Sequence, residues 1–340
     1  MTDPLIRDSR AVFLPAFDTL SFHDMMAPFI EQGGCAVLIG ETREEYVARR
    51  MSPRRLEQET AADFFAAVED LRKINGNLLV GVDEEMGGIQ RLQGLVPSLP
   101  TPDEAAAMTG AAIEKRCETT AAAALELGVN MFLSPIADVV DGINPWLSGR
   151  TLGKNVSTVS RIVEHSVRGL QAAGIGTVTK HFPGFNNLVL DPAEEDVVLT
   201  TDPVAILRNA APFTAAIRAG TKAIMAGPAV VAAFDPEHAA CRSPTLIRML
   251  REEFGFNGVV VSDDLHAPAT LKNSTLLTAC IDSLNAGTDL LLVGGGPELT
   301  DLSDGIAEAV RSGLLDRERL TQAANRVRTL AASLSKSQHS

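Results

Sequence analysis

Short β-rich runs alternate with longer Ala/Leu/Glu-rich stretches eight times, no linker interrupts them, and polar residues gather where the runs end. Together these predict an α/β fold, a closed TIM-type (β/α)8 barrel forming a single domain over residues 1–340. The eight runs span 11–17, 35–39, 77–82, 130–136, 176–180, 222–226, 258–262 and 289–293. Most are apolar throughout, as strands covered on both faces must be.

Between the runs, a 3.6-residue apolar period predicts helices that include 53–73, 103–127, 159–173, 203–219, 244–253 and 274–286. Several begin at a capping residue followed by proline: Ser52-Pro53, Thr101-Pro102-Asp103, Asp202-Pro203 and Ser243-Pro244. Proline is harmless there because the first helical N–H groups have no partner to lose. Gly33-Gly34, Gly128, Gly174 and Gly287 supply the matching stops. An open doubly wound sheet is the rival. However, Gly33-Gly34 precedes its strand and no G-x-G-x-x-G follows one, while Gly294-Gly295-Gly296 reads as a tight barrel loop near a ligand. The polar tail at 333–340 is expected to fray.

A net charge of -13, from 43 acidic and 30 basic residues, repels a phosphate backbone, so nucleic acid is excluded as a partner. No apolar run reaches the roughly 18 residues that span a bilayer, and residues 1–10 lack a secretory apolar core; the expectation is a cytoplasmic protein without a membrane partner. Cys35, Cys117, Cys241 and Cys280 are scattered without C-x-x-C spacing, which points to buried small residues rather than zinc or disulfides. Neither H-E-x-x-H nor a P-loop occurs, so no metal and no cofactor is expected. With 4% aromatic residues and a single Trp146, the composition suits a small polar substrate better than a long stacked polymer.

In such a barrel the chemistry lies at the C-terminal ends of the strands. Five exits carry suitable groups: Val82-Asp83-Glu84-Glu85, Ser134-Pro135-Ile136-Ala137-Asp138, Thr179-Lys180-His181-Phe182-Pro183-Gly184, Met225-Ala226-Gly227-Pro228 and Val261-Ser262-Asp263-Asp264-Leu265. Arg150 follows the fourth run. Such a mixture of fixed donors and acceptors reads the hydroxyls of a sugar; the alternative is salt bridges that tie the loops together.

Several segments resemble family-3 glycoside hydrolases. Phe256 to Leu265, preceded by Leu250-Arg251-Glu252-Glu253, is similar to that family's nucleophile signature. Lys180-His181-Phe182-Pro183-Gly184 is similar to its sugar-binding segment, Val82-Asp83-Glu84-Glu85 to its acidic strand exit, and Gly149-Arg150-Thr151-Leu152-Gly153 to its arginine loop. The likeness runs in order from Cys35 to Val293 and is nearest the single-domain bacterial β-N-acetylglucosaminidases (β-hexosaminidases), enzymes of the cytoplasm. It implies a retaining glycosidase with Asp263 as nucleophile, a small glycoside as substrate, Asp83, Arg150, Lys180 and His181 holding the sugar hydroxyls, and Asp138 counted with these substrate-binding residues as a support of the pocket wall. With Lys180, Arg150 and His181 beside it, Asp263 is expected to stay ionised.

The resemblance also exposes departures. The family's acid/base is a histidine in an Asp-Ser-His stretch, and the corresponding residues here are Asp191-Pro192-Ala193. Phe185 stands for a histidine, Pro228 for another, and Glu85-Met86-Gly87-Gly88 lacks the arginine of Glu-Gly-Gly-Arg. Glu194 is the first candidate to replace the acid/base, with Asp191 and His266 behind it; Glu194-Glu195-Asp196 also reads as a solvated acidic loop. Losing a positioned acid costs roughly 10²- to 10⁴-fold, so a silent sugar-binding protein and a barrel recruited to another reaction are the two alternatives.

Overall fold

The computed structural model describes residues 3–336. Each predicted run holds a barrel strand: β1 (Phe13–Phe17), β2 (Ala36–Ile39), β3 (Leu79–Val82), β4 (Met131–Phe132), β5 (Gly176–Phe182), β6 (Ala223–Ala226), β7 (Val259–Ser262) and β8 (Leu291–Gly294). They run parallel in the order β7-β6-β5-β4-β3-β2-β1-β8. The last seam is closed by a Val261–Leu290 bridge and by hydrogen bonds from Ser262 N to Leu290 O and from Leu265 N to Leu292 O. Interior and exterior faces are both packed with Val, Ile, Leu and Phe, which is why the strands read as continuous apolar runs.

Two strands depart from regularity where they approach the mouth. β4 is shorter than the predicted 130–136 because Pro135 has no N–H to extend the ladder; a single bridge between Ile136 and Lys180 follows it. In β5 the register shifts between Thr179 and Phe182, and the peptides Ser134-Pro135, Lys180-His181 and Phe182-Pro183 are cis. With the register shift, Lys180 and His181 both line one cavity, whereas neighbours on a regular strand face opposite sides.

Three predicted helices are each divided in two, and each break has a local cause. The 53–73 stretch forms Pro53–Gln58 and Ala61–Ile74, separated at Thr60, whose hydroxyl and Asp63 make a capping box. The 103–127 stretch forms Pro102–Ala107 and Gly110–Glu126, restarted by Thr109 as cap. The 203–219 stretch forms Pro203–Asn209 and Ala211–Arg218, because Pro212 cannot donate to the preceding turn. A small sheet of Val198–Leu199, Val230–Val231 and Asp235–Ala239, absent from the sequence reading, joins the loops after β5 and β6 at the mouth.

The far end is closed by charge as well as packing. Buried Asp289, just before β8, accepts from Arg251, Arg319 and Arg326 at 2.6, 2.5 and 3.0 Å, and Val260 N also donates to it. Asp8 likewise binds Arg317 and Arg328, tying the first helix, Pro4–Ala11, to the last, Arg317–Lys336. The tail expected to fray from 333 is helical through Lys336, and residues 337–340 lie outside the described residues. All four cysteines are free and buried. No helix among the described residues is long and apolar enough to cross a membrane.

Candidate active site

The strand exits converge on a cavity of about 350 Å³ at the C-terminal mouth. Asp83, Arg150, Lys180, His181 and Asp263 all line it, together with Ala193, Pro192, His266 and Glu41. Five residues predicted from four separate segments are therefore brought to one surface.

Electrostatics divide the cavity into two sides. On one, Arg150 makes a bidentate pair with the fully buried Glu85, Nη2 to Oε1 at 2.7 Å and Nε to Oε2 at 3.0 Å. Lys180 Nζ lies between Asp83 Oδ1 and Glu85 Oε1, the latter at 2.8 Å. Burial would raise the Glu85 carboxyl, but Arg150 and Lys180 outweigh it and hold Glu85 well below the ordinary range. Burial would equally lower Lys180, and Asp83 and Glu85 push it above its usual value instead. Gly88 makes this possible: a Cβ there would collide with Glu85 Oε2 and Arg150 Cγ. Where the resemblance leads one to miss an arginine, the local packing leaves no room for a side chain.

Opposite, Asp263 follows β7. Its Oδ1 accepts from Asp264 N at 2.8 Å, and its Oδ2 is buried without a protein hydrogen-bond partner among the described residues. The nearest basic side chain is His181, with Nε2 4.0 Å from Oδ2. Desolvation raises the Asp263 carboxyl above its usual value, while His181, the Asp264 N–H and Lys180 only partly offset it. Arg150 and Lys180, expected to flank Asp263, are committed instead to Glu85 and Asp83.

Asp138, expected among the substrate-binding residues as a support of the pocket wall, does not itself line the cavity. It is fully buried behind His181, where Oδ2 accepts from His181 N and Nδ1, both at 2.9 Å, and Oδ1 accepts from Phe185 N at 2.8 Å. A carboxylate can only accept, so Nδ1 carries the proton and Nε2 is turned towards Asp263. Trp146 backs the same imidazole with ring centroids 4.5 Å apart.

The loop after β5 delivers Pro192 and Ala193 to the cavity wall, but neither acidic candidate follows them. Asp191 Oδ1 accepts from Ala193 N at 2.9 Å, and Glu194 is half-exposed and paired with Arg43 at 2.7 Å. Neither lines the cavity. His266 does, and Asp264, opposed by partial burial and assisted by Glu298, raises its affinity for a proton. Phe185 is buried against Trp146 and against Gly227, where a Cβ would strike its ring.

Sequence reasoning missed four participants. Glu85 carried only the signal of a strand-exit carboxyl, which does not reveal that it anchors both cations. Glu41, two residues past β2, had the signal of any polar group at a strand end. The lone Tyr46 and Trp146 gave none beyond rarity; Tyr46 Oη accepts from Trp146 Nε1 at 3.0 Å and Arg150 Nη1 at 3.3 Å.

Residues 32–330 match the glycosyl hydrolase family 3 N-terminal domain. A β-hexosaminidase of Methylococcus capsulatus (Bath) is 29% identical over 244 residues, covering 69% of this chain and 72% of that one. One of Thioalkalivibrio sulfidiphilus is 30% identical, covering 68% and 70%. Among solved structures, the β-N-acetylhexosaminidase of Beutenbergia cavernae superposes with TM-score 0.83 at 25% identity, covering 97% and 98%. The family-3 β-N-acetylglucosaminidase of Paenibacillus sp. FPU-7 gives TM-score 0.87 at 25% identity over 98% of this chain, which spans 63% of that longer one. With the profile covering most of its length and the strand exits meeting at one cavity, the chain belongs to family 3 of the glycoside hydrolases.

Proposed function

We propose that this chain hydrolyses a small β-N-acetylhexosaminide-like glycoside with retention, through a covalent intermediate on Asp263. The observation that carries the reading is Asp263 itself, a carboxyl with one buried, unpartnered oxygen on the wall of a cavity opposite the Asp83–Lys180–Glu85–Arg150 cluster. A pyranose spanning that gap would present its anomeric carbon to Asp263 and its ring hydroxyls to the charged cluster. All the lining residues come from one barrel, which supports reading residues 1–340 as one catalytic domain.

A nucleophile must be ionised, and desolvation of Asp263 makes that state costly. A developing positive charge at the anomeric carbon relieves the cost, so the carboxylate is stabilised in the transition state more than before it. The acid limb of kcat/KM should consequently lie above the ordinary aspartate range, with activity lost as pH falls through it. For proton donation to the leaving oxygen we favour His266, which lines the cavity three residues from Asp263 and binds its proton more tightly than an ordinary histidine. Glu194 is engaged by Arg43.

The test is p-nitrophenol release from the β-N-acetylglucosaminide. Asp263→Asn should lower kcat by roughly 10⁴-fold or more. His266→Ala should slow an alkyl glycoside far more than this aryl one; equal losses on both would remove His266 from the reaction. A second reading, sugar binding without turnover, is favoured by the presence of Ala193 where the cavity wall receives the loop. Calorimetric binding of N-acetylglucosamine with no release from any aryl glycoside would establish it in place of hydrolysis.

A further inference from the structure

Glu41 is a carboxyl that the reaction above does not use. It lines the cavity between β2 and β3, largely buried, and it takes part in no hydrogen bond or ion pair with the described residues; its Oε2 is sealed from solvent without a partner. A buried acid with no partner is costly.

Charge balance shows what is missing. The groups facing Glu41 are Asp83 and Glu85 from the exit of β3, Lys180 from β5 and Arg91 from the segment after β3. Arg91 is spent on Glu59, at 2.6 and 2.9 Å, with its Nε donating to Gly40 O. Lys180 and Arg150 are spent on Asp83 and Glu85. Three carboxyls thus face two cations, and the excess falls on Glu41. Burial first, then Asp83, raises it to about 8, so it remains protonated at neutral pH. A ligand cation beside Glu41 would let it release that proton and ionise with the cluster still neutral.

Topology fixes where on the ligand that cation must be. β3 stands four strands from β7 in either direction around the ring, and β2 is its neighbour. Glu41 and Asp83 therefore lie across the barrel from Asp263. Resting on the reading that a sugar's anomeric carbon meets Asp263, we infer that the natural substrate is an amino sugar with a protonated amine on the far side of the ring, at C4 or C6, held by Glu41 and Asp83.

The test compares p-nitrophenyl β-N-acetylglucosaminide with its 4-amino-4-deoxy and 6-amino-6-deoxy analogues on the wild-type protein. One amine should exceed the parent in kcat/KM by about 10- to 100-fold, the range of a charge-assisted contact. Glu41→Gln should return that ratio to near one, and calorimetry in buffers of different ionisation heat should detect a proton released as the amine binds. A wild-type ratio at or below one for both amines overturns the inference while leaving hydrolysis standing. If no sugar is turned over, the hydrolytic reading fails instead, and the dissociation constants of the same three sugars decide the inference. Should Glu41→Gln not fold, the wild-type ratios and the proton release decide it.

Discussion

At the scale of single residues, much of the site is organised by groups that never meet a ligand. Asp138 sets the tautomer of His181, and Glu85 collects the charges of Arg150 and Lys180. Asp138→Asn would present an amide to Nδ1 and loosen the ring, and kcat/KM should fall roughly 10²-fold with little change in melting temperature. A drop in melting temperature that accounts for the whole loss would make Asp138 structural only. Glu84 makes a different prediction. Burial raises it to about 8 despite a hydrogen bond from Leu92 N at 2.9 Å. The folded protein therefore holds a proton that the unfolded chain has already released. That contribution is complete below the ordinary glutamate range and is lost as pH rises towards about 8. The melting temperature should fall between about pH 5 and pH 9, and the fall should be shallower in Glu84→Gln. An unchanged slope would contradict the burial of a neutral acid.

At the scale of elements, the loop after β5 carries the decisive departure, because it brings Ala193 to the cavity with Asp191 two residues before it. Ala193→His should raise hydrolysis of an alkyl glycoside by about 10²-fold or more relative to the aryl substrate, as a positioned acid does. No gain would show that the loop cannot carry a proton donor. The strands and the acidic exits were legible in the sequence because buried parallel strands are apolar throughout and strand ends are punctuated. The three helix breaks were less so: Thr60, Thr109 and Pro212 sit inside unbroken apolar periods, and cap chemistry outweighed periodicity. How Asp138 supports the pocket wall was not legible for a similar reason, since the sequence tells that a residue ends a strand but not whether backbone amides will claim its oxygens.

At the scale of the whole molecule, one ring of strands presents its reactive ends at one mouth and anchors the other end on Asp289, where three arginines from two helices meet. Removing that carboxylate leaves the cations uncompensated, and Asp289→Ala should cost about 3–5 kcal/mol, read as a lowered denaturation midpoint with the cavity chemistry unaltered in what folds. A loss below about 1 kcal/mol would mean the cluster is as weak as a surface pair. The closed barrel was evident from eight repeats, but the pairing of cations inside it was not, because partners such as Glu85 and Arg150 are 65 residues apart and only closure brings them together. The most direct measurement is to trap the enzyme with a 5-fluoro N-acetylglucosaminyl fluoride and map the adduct by peptide mass spectrometry. A sugar ester on Asp263, absent from Asp263→Asn, is the predicted result; turnover with an adduct on another carboxylate, or with inverted product and no adduct, would contradict it.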